Sequence, residues 1–201
     1  PVIEATGLGE VFDHQGLLTT RAAETGDPID IAKAATNYHL NVEGTLARSG
    51  FYAINKMSDV APLPLLNRGF KFISTDEGRH ITHGVRLLNE LIEKEEAGEP
   101  EYQGVKDGIL DVLEEDVPRM GEFGYMITDS VGDPLGVDYD ELVMRGGQLI
   151  DGTYNESLGL DVDYINVINR VRNRFDELED EDVDAKIEEQ RRLYERRRGA
   201  A

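Results

Sequence analysis

The chain contains no cysteine, which excludes disulfides and thiolate metal sites. Lysine is scarce, with 6 among 21 basic residues, against 41 acidic residues and a net charge of −20. A chain so poor in positive charge is a bad match for nucleic acid, where binding rests on neutralising phosphates. No apolar run reaches the roughly 18 residues that span a bilayer. The opening Pro1-Val-Ile-Glu4 does not resemble a signal peptide. We therefore expect a cytoplasmic protein with no membrane span and no nucleic-acid partner. Alternating strand patterns and internal repeats are also missing. What the composition favours is an acidic, lysine-poor surface, which stays soluble in concentrated salt because screening removes its self-repulsion. That points to a halophilic source.

Nearly the whole chain reads as helix. Helical spacing covers Gly9 to Ala23. Gly26-Asp27-Pro28 is a start signal, with Asp27 as N-cap and Pro28 at the first helical position. The helix that follows is expected to reach Asp59, where Pro62 and Pro64 impose a break. A second long helix is expected over Leu63–Glu96. Leu66, Phe70, Ile73, Glu77, His80, Ile81, Gly84, Leu87, Leu88 and Leu91 follow three/four spacing, predicting one inward stripe. Gly98-Glu99-Pro100 ends it. Further helices are expected over Glu101–Thr128, kinked near Pro118, over Tyr139–Leu158, over Tyr164–Phe175, and over Ala185–Arg198 at the basic end of an acidic tail. The expected division is an N-terminal segment (1–26), an all-α bundle (27–160) and a charged helical tail (161–201).

Three residues carry chemistry. Glu77-Gly-Arg-His80 places a carboxylate and an imidazole on one helix face, because positions i and i+3 are neighbours. Glu43 lies 34 residues earlier on another helix, and a hairpin with arms of that length brings it level with Glu77 and His80. Glu-x-x-His alone is common on the solvated faces of acidic helices. Here Leu40, Val42, Leu46 and Ala47 flank Glu43, and Phe70, Phe72, Ile73 and Ile81 flank Glu77 and His80. A carboxylate among apolar neighbours must be paired, protonated or metal-bound. One Glu plus Glu-x-x-His is half of the ligand set of the dinuclear carboxylate sites of ferritin-like bundles. The set occurs once in this chain.

Tyr38, Glu43-Gly-Thr-Leu-Ala47, Gly50-Phe-Tyr52, Ile73-Ser-Thr-Asp-Glu77-Gly-Arg-His80 and Gly84 together resemble the second half of the metal-binding core of the ribonucleotide reductase small-subunit superfamily. The resemblance is nearest to its ligand-binding oxidase branch and covers residues 30–95. It implies a ferritin-like helical bundle with an Fe/Fe or Mn/Fe centre, for which Glu43, Glu77 and His80 are ligands. It further implies that Asp76 accepts a hydrogen bond from a ligand histidine and so orients it. Tyr38 stands where that branch has a tyrosine forming an ether cross-link to a valine on another helix. On α-helical geometry five residues turn about 500°, which sets Tyr38 about 140° away from Glu43, so it has to lean in from the flank.

The resemblance also implies oxygen as a co-substrate, a long-chain apolar ligand such as a fatty acid, and a homodimer. Members of that superfamily carry an earlier carboxylate helix and a first Glu-x-x-His helix, for which this chain has no counterpart. Glu4, Glu10, His14 and Glu24 do not form the pattern. The N-terminal helices of the bundle are thus expected to be missing, and the site to be completed from elsewhere or dead. Three functions fit: an oxidase performing two-electron oxidation, a radical-generating reductase small subunit, and a non-catalytic helical assembly or metal-storage protein. Tyr38 argues for the first.

Overall fold

The computed structural model describes residues 8–60, 64–128 and 136–180, which are helical with no strand among them. The expected break at Pro62 and the helix over 185–198 lie outside the described residues. Helix α1 spans Leu8–Thr25 and α2 Pro28–Ala35. The turn between them forms as its sequence requires. Gly26 adopts φ +63°, a region open to glycine at little cost. Asp27 then caps the Ile29 amide at 2.8 Å with Pro28 in the first turn.

The helix continues without a break past Ala35 but changes pitch. Thr36–Ala47 is a π-helix (π1), followed by α3 over Arg48–Val60. Periodicity did not predict this widening. Its signature runs through the side chains as well: Thr45 Oγ1 donates to the carbonyl of Leu40, five residues back, at 3.1 Å.

Helix α4 spans Pro64–Glu96. It ends at Gly98, φ +80°, where the Glu99 amide returns to the Lys94 carbonyl at 3.1 Å. A 3₁₀ turn over Pro100–Tyr102 precedes α5, Val105–Ile127. That helix starts later than expected because Gly104, at φ +100°, interrupts the chain. Glu95 of α4 compensates by accepting from the Gly104 and Lys106 amides at 2.7 and 3.0 Å, which joins the end of one helix to the start of the next. α5 runs through Pro118.

Helix α6 spans Tyr139–Ile150, capped by Asp138, and passes into a second π segment, π2, Asp151–Ser157. Helix α7 spans Tyr164–Asp180. Val162, Val167 and Ile168 are buried, so the start of the expected tail packs with the bundle. Gly147 permits this, since a Cβ there would lie 2.4 Å from Ile168 Cδ1.

The core joins α2, π1, α4, α5, π2 and α7 through Leu40, Leu88, Ile109, Leu113 and Tyr154, all fully buried. Inside it lies a polar hub. Asp116 of α5 accepts from Asn37 Nδ2 at 2.8 Å and Asn41 Nδ2 at 2.7 Å, and pairs with His14 Nδ1 of α1 at 2.8 Å. Tyr154 donates to Asn41 Oδ1 at 2.5 Å. The hub fixes π1 between α5 and π2.

The expected inward stripe of α4 holds only in part. Gly84, Leu88 and Leu91 are buried, but Leu66, Ile73 and His80 are exposed. Leu65 and Phe72, at 84% and 66% exposure, widen this apolar surface. Periodicity identifies a face of a helix but not whether anything covers it. The first half of α4 has its apolar face open in this chain.

With a net charge of −20, self-repulsion should lower stability in dilute buffer. We expect the melting temperature to rise by roughly 5 °C between 0.1 and 1 M KCl, where the screening length falls from about 10 to 3 Å. A flat or falling melting temperature in a thermal scan would show that the surface charge is immaterial to folding.

Candidate metal centre

The site forms where π1 crosses α4. Glu43 lies in the middle of π1 and is buried; Glu77 and His80 come one turn apart on α4. His80 Nδ1 is 2.9 Å from Glu43 Oε1 and 3.4 Å from Glu77 Oε2. One donor atom from each of the three residues can be chosen so that all lie within 4.8 Å of one another. This is looser than the 3–4 Å that short coordination bonds imply.

Glu77 Oε2 is buried with no hydrogen bond, although His80 stands within ion-pair distance. Burial, and next the neighbouring Glu43 carboxylate, raise the Glu77 pKa above its usual value. His80 is raised as well, first by its hydrogen bond to Glu43. Two carboxylates and an imidazole facing one point, with one buried acceptor making no hydrogen bond, form a hard oxygen-and-nitrogen donor set suited to iron or manganese.

The two shifts have a definite sign in the metal-free protein. Both groups bind protons more firmly folded than unfolded. Their contribution to stability is therefore full below the ordinary values of 4.5 and 6.5, and is lost as pH rises through the raised folded values. Protons compete with metal over the same range, so metal affinity should climb with pH until His80 has lost its proton. A chemical-shift titration of the His80 ring should give a midpoint above 6.5 that returns toward 6.5 in Glu43→Gln. A midpoint at or below 6.5 in the unaltered chain would remove Glu43 as its controlling partner.

Tyr38 lies beside the carboxylates. Its hydroxyl pKa is raised, chiefly by a hydrogen bond to Glu43 and then by burial. The α-helical estimate set it about 140° off. The π-helix accounts for the difference, since an i→i+5 ladder brings residues five apart onto successive turns of one face. Asp76 lies outside the cluster. It is exposed and pairs with Arg79, three residues on, at 3.1 Å, and among the described residues no hydrogen bond joins it to a histidine.

His39 was not anticipated. Its Nδ1 lies 3.0 Å from Glu43 Oε2, so each Glu43 oxygen faces a different imidazole. The signal was present, since His39 stands four residues before Glu43, a spacing that makes neighbours on a helix. The Glu10/His14 pair takes no part: His14 is committed to Asp116 and Glu115.

A second feature begins at Thr45, two residues past Glu43. An apolar cavity of about 80 Å³, open to solvent, lies between π1–α3, α5, α6 and α7. Leu46, Ser49, Val117, Leu142 and Ile168 are among its walls. Ser49 Oγ is buried there without a hydrogen bond.

No protein-family model and no curated protein matches the chain. Solved structures do. The chain is similar to a variant R2-like ligand-binding oxidase with an aerobically reconstituted Mn/Fe cofactor, at 27% identity and TM-score 0.46, covering 79% of this chain and 48% of that one. A second variant, with an Fe/Fe cofactor, gives 24% identity, TM-score 0.47, and coverage of 78% and 50%. The chain thus spans about half the length of the R2-like ligand-binding oxidases to which it is similar.

Proposed function

We propose that this chain supplies half of a dinuclear Fe/Fe or Mn/Fe carboxylate centre, in an oxidoreductase that activates oxygen for two-electron oxidation. The observation that carries the reading is the convergence of Glu43, Glu77 and His80 into one group of mutually close donor atoms, with a buried Glu77 oxygen that makes no hydrogen bond. When bound, the metal pair supplies the redox equivalents for oxygen chemistry. Glu43 and Glu77 supply the negative charge that balances it. His80, on the solvent side, supplies the nitrogen donor. Tyr38, whose hydroxyl pKa is raised chiefly by Glu43, holds its proton beside that carboxylate. Asp76, exposed on α4 and paired with Arg79, has no direct part in this chemistry.

The full ligand set needs a second Glu and a second Glu-x-x-His. Helices carrying them would cover the open apolar face of Leu65, Leu66, Phe72 and Ile73. The cavity at Thr45 and Ser49 would take the long apolar ligand, its Ser49 hydroxyl offering a hydrogen bond.

The test is to purify the chain with whatever accompanies it in its source and measure metal content, optical spectrum and oxygen uptake. We expect two metals per assembled site and oxygen uptake that needs both. An assembly that holds metal without oxygen uptake would be a storage or structural protein. One without iron or manganese would end the metal reading.

A further inference from the structure

We infer that His39 is a positioning residue for Glu43: its Nδ1–H holds one carboxylate oxygen so that the other is turned toward Glu77 and His80. This role rests on the metal-site reading above and adds a residue to it.

Glu43 is buried, and its two oxygens have separate partners, Oε2 with His39 at 3.0 Å and Oε1 with His80 at 2.9 Å. The two histidines are not equivalent. His80 shares its face with Glu77 and is 46% exposed, whereas the His39 side chain is 16% exposed and outside the mutually close donor group. His39 is also clamped. A Cβ at Gly84 would lie 2.3 Å from His39 Cβ and 2.7 Å from Cγ, so α4 accepts the imidazole only because residue 84 has no side chain. The Tyr38 ring packs on it at 4.8 Å, and the His83 ring meets it edge-on at 5.7 Å.

A buried carboxylate that gives one oxygen to a metal must have its other oxygen satisfied. A fixed imidazole N–H does this and sets the rotamer of the ligand at the same time. Loss of such outer partners typically costs about 10–100-fold in metal affinity. The tautomer follows from the contact, since Nδ1 can bond a carboxylate only as a donor.

The experiment is a Mn(II) titration of the full chain followed by EPR, with wild type, His39→Leu, His39→Gln and Gly84→Ala, alongside metal-free melting curves. We expect His39→Leu to lose about 10–100-fold in affinity. His39→Gln, whose amide still donates, should bind like wild type. Gly84→Ala should match His39→Leu, because it displaces the imidazole without removing a polar group. Nitrogen couplings should count one imidazole on the manganese. His39→Leu binding like wild type would overturn the role, as would His39→Gln failing as badly as His39→Leu. Two coupled imidazoles would overturn it in favour of direct ligation. A wild-type chain that binds no Mn(II) would overturn the metal-site reading itself, and this role with it.

Discussion

Glu43→Gln is expected to lower the affinity for Mn(II) or Fe(II) by two to three orders of magnitude while leaving the fold intact. Four-ligand zinc sites bind with about 10–16 kcal/mol, roughly 2.5–4 kcal/mol per ligand, which is about 100- to 1,000-fold per ligand. Glu43 is the hub of the site, facing His39, His80, Tyr38 and Glu77. The amide keeps its shape but loses its charge. The Glu43 carboxylate is one cause of the raised Glu77 pKa and the first cause of the raised His80 pKa, so its neutralisation relieves the one and gives up the other, and metal-free stability at neutral pH should change little. Calorimetric titration at pH 7.5 with a parallel thermal melt measures both effects. An affinity within threefold of wild type would mean that the cluster is an ordinary carboxylate–histidine contact.

Asp116→Ala should be the most damaging single change to the fold, at about 3–5 kcal/mol, the usual cost of breaking a buried charged pair. Asp116 is 3% exposed, and its removal strands the Asn37 and Asn41 amides and His14, each a donor to a charged acceptor worth about 1.5–3 kcal/mol. These terms overlap and do not add. Asn37 and Asn41 bracket Tyr38 and His39 on π1, so the same change should loosen the metal site. Urea unfolding gives the value from the midpoint at constant slope. A loss below about 1 kcal/mol would show that water or repacking replaces the hub.

The parts of this molecule legible in its sequence are those with local grammar. Asp27-Pro28 announced a helix start, Gly98 a helix end, and Glu77-Gly-Arg-His80 with Glu43 a shared face. Three features had none. The π1 pitch is a ladder property with no residue code that helical periodicity detects, and it decides where Tyr38 points. The hub pairs Asp116 with Asn37 and Asn41 across 79 and 75 residues, a distance over which spacing says nothing. The open face of Leu66 and Ile73 read as core, because apolar periodicity marks a face of a helix and not whether anything covers it. His39 is different: its spacing to Glu43 is visible in the sequence but is less distinctive than Glu-x-x-His.

The most direct measurement is an anaerobic Fe(II) titration of residues 1–201, counting tightly bound iron per chain alongside the mass of the species in solution. With Glu43, Glu77 and His80 as half of a ligand set, the account predicts one iron per chain, abolished in His80→Ala. Two tightly bound irons per monomer would contradict the half-site, and no bound iron would contradict the metal centre.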